Sequence, residues 1–243
     1  MAYFTIITVC LNEERGIRRT CESIIRQSFV DFEWIVVDGG STDNTLSILE
    51  DFRSRITSLT SEKDEGIYDA MNKGLKIASG NYIVFMNGGD SFSSHNVLQK
   101  VAAASTSDII YGDIYFDEGG GRRMDFPDKI NPEYFLNKMI PPQATFYRRE
   151  LFKKFGVFDT SYRIAADYDL HIRFIEVGKV SCFHINEPLA INDTTGISGN
   201  PKFRDLRKKE NHSVRKKYFR RYRYSLKFLR QELRERFSFI RFM

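Results

Sequence analysis

Cysteine is scarce in this 243-residue sequence: Cys10, Cys21 and Cys182 are odd in number and widely spaced. That excludes a disulfide framework and, with no paired His or Cys spacing, a zinc site; a reduced, cytoplasmic setting is expected. No apolar run approaches the ~20 residues that a membrane-spanning helix needs. The opening Met1-Ala2-Tyr3-Phe4-Thr5 has no basic stretch of the secretion-signal kind, so no export signal is expected. Three motifs are missing as well. No Gly-x-Gly-x-x-Gly follows the first strand-like run, which argues against a dinucleotide-dependent dehydrogenase. The phosphate-loop pattern Gly-x-x-x-x-Gly-Lys-[Ser/Thr] and the nucleophile elbow Gly-x-Ser-x-Gly are also lacking, which removes P-loop NTPases and elbow-type hydrolases.

What is present is ordinary for a globular protein, with 42% hydrophobic and 28% charged residues. The net charge of +5 conceals an asymmetry. Residues 202–243 hold 16 Lys/Arg and 4 Asp/Glu, a local +12, which leaves 21 basic and 28 acidic residues, or −7, in 1–201. An acidic body with a basic tail points to an anionic partner.

Strand and helix patterns alternate from the start. Phe4 to Cys10, Glu33 to Val37, Ile56 to Ser61 and Tyr82 to Met86 are short β-rich runs. Between them, Ile17, Cys21, Ile24 and Ile25, then Leu46, Leu49 and Phe52, then Tyr68, Met71 and Leu75 recur at helical spacing. This alternation predicts an α/β fold with a mostly parallel central sheet flanked by helices. Further on, strands are expected at 109–116, 122–126, 144–147 and 180–185, with helices from Asn131-Pro132 and over 165–177. A polar Gly-containing stretch at 192–200 reads as a loop and a candidate lid.

Acidic residues follow the strands: Asp38, Asp64 and Asp90, with Asp113 near a later one. A parallel sheet gathers the first three at its carboxyl edge, where ligands bind. Each alone could merely cap a helix. Together they repel unless a cation offsets them, and oxygen-only ligands suit Mn2+ or Mg2+ on a bound diphosphate.

The blocks Thr8-Val9-Cys10-Leu11-Asn12-Glu13, Asp38-Gly39-Gly40-Ser41-Thr42-Asp43, Asp64-Glu65-Gly66-Ile67-Tyr68-Asp69-Ala70-Met71-Asn72-Lys73-Gly74 and Asn87-Gly88-Gly89-Asp90 stand in this order. They resemble the bacterial family-2 glycosyltransferases of GT-A fold that build capsule, exopolysaccharide or O-antigen chains. The likeness is specific over 4–91 and looser to about 190, through Pro142-Gln143-Ala144-Thr145-Phe146-Tyr147 and Ala166-Asp167-Tyr168-Asp169-Leu170. It implies a GT-A domain over 1–200, with a nucleotide-binding half to about 115 and an acceptor half over 116–200, followed by a basic helical extension over 201–243. It also implies inverting transfer from a nucleotide-diphosphate sugar, usually uridine-linked, to a hydroxyl of a growing, lipid-linked glycan. Thr8, Val9, Leu11, Asp38, Asp64, Asn87 and Gly88 would bind the donor, Asp90 the metal, and Asp167 would be the general base. Two positions depart from the family: Gly89 replaces an Asp, leaving Asp90 as the sole obvious carboxylate ligand, and Ala166 replaces a Glu. Asp169 is a supporting residue or a helix-face residue, since 167 and 169 point about 200° apart on a helix. His184, in a strand-like run, is expected to pack in the core.

In the tail, Tyr218, Tyr222, Leu226, Leu229, Leu233, Phe237 and Ile240 form an apolar stripe flanked by Arg and Lys. An interfacial helix on an anionic membrane surface fits, as does packing on the body or on a second copy. No nucleic-acid motif accompanies the charge. A peripheral position on the inner face of the cytoplasmic membrane is expected. Two rival functions stay open: a sugar-1-phosphate nucleotidyltransferase, and a non-catalytic nucleotide-sugar-binding subunit at the membrane.

Overall fold

The computed structural model describes residues 2–104, 106–117, 121–130, 132–136, 138–194, 196 and 201–219. It opens with β1 (Phe4–Cys10), whose seven residues are all buried. A strand covered on both faces needs an unbroken apolar run, and this one has only threonines to interrupt it. Both are bonded: Thr5 donates to Glu33 at 2.5 Å, and Thr8 accepts the Trp34 indole N–H at 3.0 Å. α1 (Ile17–Ile25) turns Ile17, Cys21 and Ile24 inward. β2 (Phe32–Asp38), α2 (Thr45–Glu50), β3 (Ser58–Ser61), α3 (Ile67–Ile77) and β4 (Tyr82–Phe85) follow. The strand order β3-β2-β1-β4 is parallel throughout. Helical crossovers impose that arrangement, and it brings the carboxyl ends of β1, β2 and β4 to one edge.

The second half comprises β5 (Ser91–Phe92), α4 (Val97–Ala103), β6 (Ile109–Phe116), β7 (Arg122–Met124), α5 (Pro132–Phe135), β8 (Thr145–Arg148), α6 (Arg149–Phe155), α7 (Ala166–Ile172), β9 (Cys182–Asn192) and α8 (Arg204–Tyr218). β8 lies antiparallel between β4 and β6, β9 runs parallel to β6, and β5 closes the far side antiparallel to β9. The expected parallel sheet is therefore parallel in its first half and mixed beyond β4. One sheet crosses the boundary anticipated near residue 115.

Two elements differ from their sequence pattern. The helix expected over 165–177 is α-helical only to Ile172 and widens into a π-helix at Arg173–Val177. The strand expected over 180–185 runs on to Asn192, because a bulge shifts the β6 register from Gly112↔Ile185 to Asp113↔Pro188. The bulge is pinned by a buried cluster. Asp113 accepts from Arg123 at 2.6 Å and from the Phe126 N–H at 2.8 Å, and lies 2.9 Å from His184 Nε2. Asp128 holds the other His184 nitrogen at 2.8 Å. His184 packs in the core, and Asp113 is structural.

Most of the 118–121 turn, most of the 195–200 loop and residues 220–243, with the stripe beyond Tyr218, lie outside the described residues. Among those described, no helix is long and apolar enough to cross a membrane.

Candidate active site

Asp38 ends β2, level with Cys10 of β1 and Ser61 of β3. Its carboxylate is fully buried and accepts from the Gly40 N–H (3.1 Å), the Ser41 N–H (2.9 Å), the Ser61 hydroxyl (2.7 Å) and the Ser41 hydroxyl. Burial alone would raise its pKa, but these donors outweigh burial and hold it below the ordinary carboxylate value. Asp38 thus shapes the Gly39-Gly40-Ser41 turn rather than presenting a free carboxylate. Asp64 lies against that turn: a side chain at Gly39 would collide with its Oδ2. Asn12, at φ 52°, stitches the neighbouring loops, accepting the Thr42 N–H at 2.9 Å while its own N–H donates to Ser41 at 2.8 Å. Leu11, 52% exposed, stands beside them at the surface. Thr8 and Val9 point into the core, so neither offers a side chain to a ligand.

Beyond β4, the Gly88 N–H bonds the Val9 carbonyl at 2.9 Å, which sets the 87–90 turn at the end of β1. Added methyl groups at Gly88 would meet Glu13 and Cys10. Gly89 has φ +93°, and a side chain there would come within 2.7 Å of Asp193 Oδ2. Asp193, just past β9, therefore fills the space that a side chain at position 89 would take. Its N–H donates to Asp90 Oδ1 at 2.9 Å. Arg19 of α1 joins the pieces, donating to the Gly89 carbonyl (3.1 and 2.5 Å), to Asp193 (3.1 Å) and to Asp117. Asp90 is only 7% exposed, and burial first, then the Asp193 and Glu13 charges, push its carboxyl up to about 7 despite the Asp193 N–H and Arg19. A cleft of about 620 Å³ opens beside this corner, lined by Asn12, Glu13, Gly16, Arg19, Asp117 and Asp193 among others.

These residues fit a divalent cation. A desolvated carboxylate gains from a cation, and Asn87 Oδ1 is buried with no hydrogen-bond partner. Both are hard oxygen donors, as Mn2+ and Mg2+ prefer. Among the described residues no group of three or more His, Cys, Asp or Glu side chains forms a cage.

Asp167 opens α7. Its Oδ1 accepts the Tyr168 N–H at 2.7 Å and lies 3.2 Å from the Tyr68 hydroxyl, which also reaches the Ile164 carbonyl at 2.7 Å. Tyr68 belongs to α3, which starts three residues after Asp64, so α3 links the nucleotide edge to the candidate base. Burial pushes the Asp167 carboxyl up to about 6, against the pull of those two donors. Asp169 is fully buried on the other side of α7, taken up by Arg173 (2.9 Å), Lys217 (2.9 Å) and Tyr218 (3.0 Å). Of the two acids, only Asp167 is turned toward Tyr68.

The structure thus sets Asp38, Asp64, Leu11, Asn87, Gly88 and Asp90 along one sheet edge, puts Asp167 within reach of Tyr68 on the helix that follows Asp64, and leaves Thr8 and Val9 in the core. Nothing in the sequence marked Arg19 as a participant. Tyr68 stood inside a family-like block but read as a core residue of its helix.

The sheet order, with its parallel nucleotide-type edge, is that of the GT-A glycosyltransferases. The fold matches S. aureus TarS (1–349) with TM-score 0.69 at 20% identity, over 88% of this chain and 65% of that one. It also matches the mannosyltransferase PcManGT from Pyrobaculum calidifontis, in complex with GDP-Man and Mn2+, with TM-score 0.69 at 19% identity over 90% and 64%. This chain therefore spans just under two thirds of these solved proteins, and the likeness to them is one of fold. Residues 5–167 match glycosyl transferase family 2, and the chain belongs to that family. A "PGL/p-HBAD biosynthesis glycosyltransferase" of Mycobacterium bovis is 36% identical over 182 residues, 70% of this chain and 68% of that protein. The Escherichia coli "UDP-Glc:alpha-D-GlcNAc-diphosphoundecaprenol beta-1,3-glucosyltransferase WfgD" is 29% identical over 156 residues, 63% and 56% of the two chains.

Proposed function

We propose that this chain moves a sugar, with inversion, from a uridine-diphosphate sugar to a hydroxyl of a growing, lipid-linked cell-surface glycan. The observation that carries this reading is that Asp38, Asp64 and Asp90 follow the carboxyl ends of three strands of one parallel sheet, while Tyr68, on the helix after Asp64, reaches Asp167. The WfgD relative, named for transfer from UDP-Glc to a diphosphoundecaprenol-linked sugar, supports the donor and acceptor classes. The turn held by Asp38, with Leu11 and Asp64 beside it, takes the nucleoside. The 87–90 turn takes the diphosphate, its glycine backbone allowing close approach. Asp90 and Asn87 would hold Mn2+ or Mg2+, which when bound offsets the charge of the departing diphosphate. Asp167 accepts the proton of the incoming hydroxyl as that oxygen attacks the anomeric carbon from the opposite face. Its raised pKa makes it a stronger base than an exposed Asp while leaving it ionised at neutral pH.

The test is a panel of nucleotide sugars with Mn2+ or Mg2+, read as nucleoside diphosphate released. One donor is expected to turn over. Asp90→Ala should weaken metal-dependent donor binding at least tenfold, and Asp167→Ala should bind donor normally yet transfer ~10²-fold or more slowly. Wild-type rates from the Asp167→Ala protein would overturn the base assignment. In this reading the basic residues of the 203–243 segment that α8 leaves exposed meet an anionic membrane surface, in keeping with a peripheral position on the cytoplasmic face beside a lipid-linked acceptor.

A further inference from the structure

The C-terminal helix α8 does more than lead into the basic tail. Glu210 lies on it, and its carboxylate accepts three consecutive backbone N–H groups in the segment entering α7: Arg163 at 2.9 Å, Ile164 at 2.8 Å and Ala165 at 3.0 Å. The first N–H groups of a helix have no partner within it; the residue before α7, Ala165, has no side chain to cap them, and within the helix Asp167 takes only the Tyr168 N–H. A residue 45 positions or more away in sequence does so instead. The capped segment is the one whose Ile164 carbonyl also takes the Tyr68 hydroxyl, the group that reaches Asp167.

The rest of α8 tightens the same joint. Lys217 and Tyr218 hold buried Asp169, and Arg215 meets the Tyr168 hydroxyl at 3.1 Å with its guanidinium over that ring. Val214 is fully buried in the common core. Every turn of α7 that flanks Asp167 is thus gripped from the tail side.

We propose that Glu210 is a positioning residue for the transfer reaction: by clamping the 163–165 backbone it fixes where Asp167 stands relative to Tyr68 and the acceptor hydroxyl. This rests on the reading of Asp167 as the base. The clamp makes α8 part of the catalytic scaffold rather than an appendage.

Glu210 bears on proton affinity as well as place. The titratable groups facing Asp167 are Tyr68 from α3, Tyr147 from β8 and Glu210 from α8, while Asp169 on its own helix is turned away toward Lys217. Burial keeps both tyrosines protonated at any working pH. Of the three, Glu210 is the one whose influence raises the proton affinity of Asp167, a smaller effect than burial.

The experiment compares Glu210→Gln with the wild type, alone and in an Asp167→Ala background. Four readings are taken: nucleoside diphosphate affinity, kcat, the pH profile, and amide hydrogen exchange at 163–168. Expected for Glu210→Gln are exchange at least tenfold faster over 163–168, nucleoside diphosphate affinity within twofold, kcat about tenfold lower, and an acid limb moved to lower pH. In the Asp167→Ala background the same change should leave the residual rate unaltered. An unchanged kcat and acid limb would overturn the proposal. So would a rate loss of equal size in the Asp167→Ala background, because that would mean Glu210 acts through the fold at large. Full transfer by Asp167→Ala alone is a separate result: it would overturn the base assignment and the catalytic half of this proposal, while the exchange data would still report the clamp.

Discussion

Asp167 is a carboxylate asked to stay ionised and basic within a largely apolar setting. Burial raises its pKa to about 6, and the Tyr168 N–H and the Tyr68 hydroxyl, which favour the charged form, prevent a larger rise. If it is the base, transfer should fall as pH drops through 6, about tenfold per unit below that, with a plateau above. A kcat/KM profile for the acceptor over pH 4.5–8.5 checks this, and a flat profile would remove Asp167 from the role. The same shift has a stability consequence. A carboxyl with its pKa raised in the fold binds its proton more tightly there, so its contribution is present below about pH 4 and is lost as pH rises through 6. Asp167→Asn keeps an oxygen for both donors and cannot ionise. Its melting temperature should exceed that of the wild type at pH 7.5, and the gap should close by pH 4.

At the scale of elements, the 87–90 turn is held in shape by a glycine that nothing larger could replace without strain. Gly89 combines φ +93° with a close approach to Asp193 at the end of β9. Gly89→Ala should therefore cost about 1–3 kcal/mol from backbone strain alone, read as a lower urea midpoint. Asp193→Gly in the same protein should recover the part due to collision but not the part due to φ. Gly89→Asp, which rebuilds the usual acidic pair, is expected to destabilise in the same way rather than strengthen the corner. Equal stability of Gly89→Ala and wild type would mean that the turn is free to adopt another shape.

At the scale of the whole molecule, the acidic body and basic tail meet through α8. Removing 201–243 strips the cap from α7 and the buried Val214 from the core, and should broaden or abolish the cooperative thermal transition. Ending the chain after Phe219 should leave the transition intact. If the remaining basic stretch serves a membrane surface, only the full chain should float with anionic liposomes, and high salt should release it. Failure to float at any salt would leave packing on protein as the role of the stripe.

Much of the nucleotide half was legible in the sequence because its information is local. β1, β2 and β4 are unbroken β-rich runs, the latter two closed by glycine-bearing turns, and a right-handed crossover leaves little choice of topology. The acids following those strands could be placed at one edge without knowing any contact. Asp167 and Asp169 were separable in direction by helical geometry alone, and the structure sends one to Tyr68 and the other to α8.

What only the tertiary structure decided lies in contacts between distant parts of the chain. Arg19 meets Asp193 across 174 positions, Tyr68 reaches Asp167 across 99, and Glu210 caps Ala165 across 45. No periodicity or motif encodes such pairings, because each depends on how finished elements pack. The antiparallel insertion of β8 between β4 and β6 is of the same kind: hydrophobic pattern marks a strand but not its neighbours or direction. The sequence by itself determined an α/β nucleotide edge carrying Asp38, Asp64 and Asp90. Packing decided that Thr8 and Val9 belong to the core, that Asp193 occupies the space left by Gly89, and that the tail helix holds the helix of Asp167.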